Sequence, residues 1–358
     1  MNKISVVTGL FAVLMMTGCS SFLQYEKEAQ LKKNDEFESA VKIEEPAAVP
    51  EADTAAAITT AAALGKTSGD KKAPAKKTTP AKVEKKTAVK PAKKGSKAAA
   101  AAAPTRRQPE LEDDAGFNGR RPIVDPFRVG EEVVHDVSYF KMSAGELRFK
   151  TLPMAMVNGQ KSYKHNIAIK TISLFASVYT VDDNIDIFMD YETVTPTVFE
   201  LHVKESGQLR EAKMLFDNAK KMATFWEKKV TKKDGEEEKR EQWEIEEYAQ
   251  NVYSAIYYMR MFQWEVGKEY AFRVSNDKEN LVFSGKALRK EVLDTELGPM
   301  KAIVVQPNIT LKGKFKPIGD NLIWLSDDEH KYILRIEAKI KIGTLVSEVV
   351  SITPGKMP

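Results

Sequence analysis

The chain has 358 residues, with 55 Lys and Arg against 51 Asp and Glu, a formal net charge of +4 and one cysteine. A single cysteine excludes an intramolecular disulfide, so the folded part must be held by its core. Lys66 to Lys97 holds twelve lysines against Asp70 and Glu84, an excess of ten positive charges that leaves everything outside the window at about −6 and excludes a basic fold.

Residues 1–18 read as an export signal. Lys3 is a short basic start, and Ile4 to Met16 is an apolar run of 13 residues. That is too short to cross a bilayer, which takes about 20, but it has signal-peptide proportions. Met16-Thr17-Gly18-Cys19 resembles a lipoprotein signal, although leucine is more usual where Met16 stands. The resemblance implies cleavage after Gly18 and a diacylated Cys19 as the mature N-terminus. In such proteins an aspartate after the cysteine marks inner-membrane retention. Ser20 stands there, which implies the outer membrane, facing the periplasm.

Residues 19–116 are expected to form a disordered tether. Ser20 to Glu45 mixes charges with scattered apolar residues such as Phe22, Tyr25 and Leu31, without a sustained repeat. From Pro46 to Pro109 the chain is Ala, Lys, Pro and Thr with no aromatic residue, and cannot bury enough apolar surface to offset its ordering entropy. As a coil of about 90 residues the tether would reach about 50 Å.

Residues 117–358 read as one β domain. In Tyr332–Ile342 every even position is apolar, and from Arg335 every odd position is charged, the period of a strand with one buried face. Similar candidates run from Val133–Phe140 and Leu147–Ala155 through Tyr163–Lys170, Ser177–Val181, Ile185–Met189, Val198–Val203, Arg210–Phe216 and Met222–Val230 to Gln242–Ile245. Tyr270–Val274, Leu281–Leu288, Ala302–Gln306, Ile309–Phe315, Leu322–Leu325 and Leu345–Ile352 follow. Asp234-Gly235 marks a reversal, with the Glu/Lys run beside it expected as a long charged hairpin tip. One helix interrupts the strands: Asn251 can cap it, and Val252, Ala255, Ile256, Met259 and Phe262 follow at helical spacing. Short strands with turn residues between them predict antiparallel meanders.

Three stretches are similar to the bacterial family called domain of unknown function 3108: Asn251 to Arg260 followed by Gly267, Thr295 to Pro307, and Ile323 to Asp328 running into Ile342-Gly343. The resemblance spans residues 128 to 352 and its motifs are structural. It implies an exported, mainly β protein whose antiparallel curved sheet or half-barrel carries one helix.

Chemistry-bearing constellations are sparse. His135, His165, His202 and His330 show no ligand spacing, so no metal site is expected, and nothing points to a cofactor. Asp182-Asp183 and Asp327-Asp328 are adjacent pairs that point to opposite faces and mark turns. Ser143 and Ser326 lack an identifiable base, and no catalytic residue is assigned. The lysine run has no interleaved aromatics for base stacking, and export removes it from nucleic acid. An anionic envelope polymer, cell wall or lipopolysaccharide, is the partner it suits. Tyr257, Met259, Met261, Phe262 and Trp264 form an aromatic and methionine cluster that would suit an apolar groove, or else pack a helix onto a sheet.

Three functions follow. The first is a lipid-anchored, non-enzymatic envelope protein that binds or carries an acyl chain or another amphiphile in that groove. The second is a scaffold spaced from the membrane by the basic tether. The third is an enzyme acting on an envelope polymer, for which the sequence displays no acid, base or nucleophile set.

Overall fold

Alternation of apolar and polar residues becomes, in the computed structural model, a long series of antiparallel ladders. Residues 28–46 and 121–356 are described, apart from 123, 178, 312–313, 317–320 and 341–342. The chain divides into two units, Met1–Pro46 with Thr105–Pro358, and Ala47–Pro104, and every described residue belongs to the first. Gly18, Cys19 and Lys66 to Lys97 lie outside the described residues.

Two short helices and a strand come first: α1 (Glu28–Lys32), α2 (Asp35–Ala40) and β1 (Ile43–Glu44). Next are β2 (Glu131–Tyr139), β3 (Met142–Val157) and β4 (Gln160–Thr171), and then α3 (Ser173–Ala176). A meander of β5 (Asp182–Asp190), β6 (Pro196–Glu205), β7 (Gln208–Asp217), β8 (Met222–Thr231) and β9 (Gly235–Glu244) follows. After α4 (Ser254–Tyr258) and a 3-10 turn at Met259–Met261 come β10 (Glu269–Asn276), β11 (Glu279–Thr295), β12 (Gly298–Leu311) and β13 (Lys314–Lys316). The chain finishes with β14 (Leu322–Ser326), β15 (Ile333–Ile340) and β16 (Gly343–Thr353).

Among the described residues these strands form one 16-stranded sheet, ordered β10-β11-β12-β14-β15-β16-β2-β3-β4-β5-β6-β7-β8-β9, with β1 added to β3 and β13 to β12. The sheet is mostly antiparallel and is not closed into a barrel. Its two edge strands are nevertheless linked through side chains. Trp243 Nε1 donates to Ser275 Oγ at 2.9 Å, Asn280 Nδ2 donates to the Glu244 carbonyl at 3.1 Å, and Lys278 pairs with Glu241. Gln250 adds an isolated parallel bridge to Val274.

One face of the sheet carries the main core, with Ile185, Ile187 and Met189 of β5, Phe199 and Leu201 of β6, and Ala212, Met214 and Phe216 of β7. The helix α4 packs on this inner face. Alternation holds in β15, where Ala338 is buried against Tyr139 and Leu345 while Lys339 is exposed.

Several expectations need correction. Residues 28–46 are not part of a disordered tether; they form a strap across the outer face of the sheet. Phe37 and Val41 enter a second cluster with Ala155, Val157, Phe188, Val198 and Trp226. Trp226 meets the Phe37 ring edge-on at 5.7 Å and Lys213 Nζ lies 4.5 Å from its centre. Asn34 caps α2, its side chain accepting from the Phe37 amide at 3.0 Å. The Glu36 carboxylate takes the indole N–H of Trp226 at 2.8 Å and pairs with Arg240. Helices of five and six residues do not stand alone in water, so docking onto the sheet is what folds this segment.

The Glu/Lys run after Gly235 is strand, not hairpin tip: Thr231 pairs with Gly235, and β9 is almost wholly exposed. Charged side chains along an outer strand discourage pairing with another chain. Ser177–Val181 is a connection, contributing only a bridge from Val181 to Glu205. Finally, the expected helix is shorter, and α1, α2 and α3 accompany it.

Candidate functional site

The helix expected to line a groove is locked into the core. Asn251 Oδ1 accepts from the amides of Tyr253 and Ser254 at 2.7 Å each, which sets the first turn. Tyr257 donates its hydroxyl to the Asn166 carbonyl at 2.8 Å, and its ring stacks on His165 at 3.9 Å. Arg260 makes a two-pronged contact with Glu131 at 2.6 and 3.0 Å and donates to the carbonyls of Pro126 and His330. Trp264 donates to the Met259 carbonyl at 3.0 Å. It lies so close to Gly285 that a Cβ there would be 2.6 Å from the indole, so only glycine fits that position of β11. Tyr257, Met259, Met261, Phe262 and Trp264 are 1, 3, 4, 9 and 4 % exposed. At these residues the apolar surface is filled by neighbours.

The inner face is less completely covered toward β8 and β9. There Phe225, Trp243, Val252, Tyr253 and Ile256 are half-buried against the main core, and the Phe199 ring meets Tyr253 at 5.5 Å and Phe225 at 6.5 Å. A polar row borders this aromatic shelf. Asp183, Glu205, Arg210 and Glu227 each sit two residues along a strand from a core-facing side chain, so they share its face. Tyr179 donates to Glu205 at 2.6 Å and Gln208 donates to the same oxygen at 2.7 Å. Arg210 pairs with Glu227, and Asp183 Oδ1 accepts from the Lys204 amide at 3.1 Å.

Burial, and then the neighbouring Glu205, push the Asp183 carboxyl up to about 7, against the opposing pull of the Lys204 amide and Arg210. Burial also raises the Tyr179 and Tyr253 phenols. Near neutral pH the Asp183 carboxyl is therefore divided between its acid and carboxylate forms, beside an arginine. Raised carboxyls of this kind collect at functional sites.

This shift carries a stability signature. A native pKa near 7 against about 4 unfolded means the folded chain holds an extra proton between these values, so its contribution is lost as pH rises through 7. Asp183→Asn should therefore gain stability relative to the wild type between pH 5 and pH 8, by about 1–2.5 kcal/mol allowing for partial exposure. Urea unfolding at both pH values measures it, and an equal difference at each would show that Asp183 titrates normally.

The remaining sequence candidates do not converge. Asp182 is exposed and lies 3.8 Å from Lys170, while Asp183 faces inward, so this pair does point to opposite faces. Asp327 pairs with Lys290 at 2.8 Å, and Asp328 caps a turn by accepting from the His330 and Lys331 amides. Ser143 donates to Asp136 and Ser326 to Asp328. His135 is buried between Ser347 Oγ and the Ile333 carbonyl, and His165 bonds Thr151 Oγ1 at 3.1 Å. Among the described residues no three His, Cys, Asp or Glu side chains are placed to hold a metal.

A profile for the family described as proteins of unknown function, DUF3108, matches residues 134–350, more than half of the chain. The chain belongs to the DUF3108 family. No curated protein matches this DUF3108 chain. Among solved structures it is similar to a β-barrel-like protein of domain of unknown function DUF1849 from Brucella abortus, at 8% identity and a TM-score of 0.40, covering 63% of this chain and 98% of that one. It is also similar to a "putative lipoprotein" from Parabacteroides distasonis, at 12% identity and a TM-score of 0.29, covering 63% and 95%.

The polar row escaped sequence reading because Asp183, Glu205 and Arg210 are separated along the chain and become neighbours only through β5–β6–β7 pairing. A usable signal was present: charged residues occupy the phase that alternation assigns to the core, at Asp183 before Ile185 and at Arg210 before Ala212.

Proposed function

We propose that this DUF3108 protein is exported, anchored in the outer membrane by diacylated Cys19 with its β domain in the periplasm, and that the domain binds an amphiphilic envelope molecule without transforming it. The observation that supports binding is the shelf. Half-buried Phe225, Trp243 and Tyr253 lie beside Asp183, Arg210 and Glu227, an apolar floor bordered by hydrogen-bonding groups. Such mixed linings suit ligands with an apolar body and a polar end. Acyl-chain binding is thereby moved from the helix cluster, where the surface is filled, to its β8–β9 side.

A second reading is contact of Lys66 to Lys97 with an anionic envelope polymer, supported by the twelve lysines against Asp70 and Glu84 in that window.

Anchoring is tested by fractionation. Wild-type protein should remain with membranes after a salt wash, and Cys19→Ser should move to the soluble periplasmic fraction. Retention of that variant in washed membranes would refute the lipid anchor.

A further inference from the structure

The turn between β2 and β3 holds apolar residues out into solvent. Phe140 is 66% exposed and Met142 53% exposed, with Lys141 between them. Phe140 and Lys141 have φ of 50° and 62°. Two-residue hairpin turns of that geometry favour Asn-Gly, and a bulky side chain at positive φ is uncommon. Hairpin formation alone therefore gives no reason for phenylalanine here, and strain of this kind is kept where it serves a site. The ring is also propped: Tyr139 packs on it at 4.4 Å, and a Cβ on Gly343 of the adjoining strand would lie 3.4 Å from it. The β8–β9 turn, at the same end of the strands, adds exposed Lys232 and Lys233 beside Asp234.

A second observation concerns where the chain enters the domain. On the outer face α1 packs against β7, and the Lys32 charge acts on His202, three residues from the β6–β7 turn. The strap then crosses the sheet to β1, which pairs with Val157 at the opposite end. Its upstream end thus lies toward the end that carries Phe140. Cys19 precedes Glu28 by nine residues, a reach of at most about 30 Å.

We infer that the Phe140-Lys141-Met142 tip inserts into the surface of the bilayer that holds the acyl chains of Cys19, so that the domain stands on the membrane by this end. Apolar side chains enter the acyl boundary while a flanking lysine stays with anionic headgroups. The inference rests on the lipid anchor proposed above, and its test separates the two.

Acylation blocks the sole cysteine, so Met142→Cys in the mature protein gives one thiol for an environment-sensitive fluorophore, and Lys220→Cys at the opposite end is the control. In vesicles of phosphatidylethanolamine with a quarter phosphatidylglycerol, the label at 142 should brighten about threefold and the label at 220 should not. Phe140→Asp should remove most of that rise. A dark label at 142, or equal brightening at both positions, would overturn the inference. Failure to float with the vesicles would refute the anchor instead. The Cys19→Ser form carrying the same labels, added to the same vesicles, then tests the tip alone: brightening at 142 only supports insertion, and a dark or equally bright pair overturns it.

Discussion

Replacing Glu131 by alanine should lower the stability of the β domain by about 3–5 kcal/mol, the cost of leaving a buried charge without its partner. The side chains of Arg260 and Glu131 are 3 and 1 % exposed, and the guanidinium lies over the rings of Phe127 and Tyr332 at 5.3 and 5.5 Å. Without the carboxylate it keeps two carbonyl partners and no counter-charge. Removing both charges, as Glu131→Leu with Arg260→Met, should cost far less than either change alone, because the desolvation of two ions disappears with their attraction. Urea unfolding of the two single variants and the double variant closes the cycle. A cost under about 1 kcal/mol for Glu131→Ala would mean that water reaches the pair.

Phe37→Ala should release the strap while the sheet stays folded. Holding residues 28–46 on the domain closes a loop over residues 47–120, at an entropic cost of about 4 kcal/mol for a chain of roughly that length. Burial of Leu31, Phe37 and Val41 contributes about 1.5–3 kcal/mol each. The two terms are close, so losing the largest side chain, worth about 3–5 kcal/mol on truncation, should tip the balance. Limited proteolysis reads this directly. In the wild type cleavage should fall between residues 47 and 120 and spare 28–46; in the variant both regions should be cut, with Trp226 emission shifted. Equal resistance of 28–46 in the two proteins would contradict the docking energetics.

The strands were legible because one face of a half-solvated sheet imposes period two, as Ala338 and Lys339 illustrate. The α4 position was legible from Asn251 and the apolar spacing that follows it. The strap was not, since its helices are too short for a periodic signal and their stability comes from the surface beneath them. That surface did leave a trace. Ile187-Phe188-Met189, Val198-Phe199, Leu215-Phe216 and Phe225-Trp226 place apolar residues on consecutive positions, which a strand does when both of its faces are covered. Phe188, Val198, Leu215 and Trp226 are the members that meet the strap. Composition misled in the same place: charged residues around Phe37 read as tether, whereas Glu36 is spent on Arg240 and Trp226.

Ligand binding on the shelf is tested most directly by native mass spectrometry of the soluble Cys19→Ser protein, purified from cells without detergent. A bound amphiphile should accompany it, and should be lost in Phe225→Ala and in Arg210→Glu variants that retain the wild-type circular dichroism spectrum. A Cys19→Ser protein that carries no such adduct, or an adduct that survives both substitutions unchanged, would contradict binding at this site.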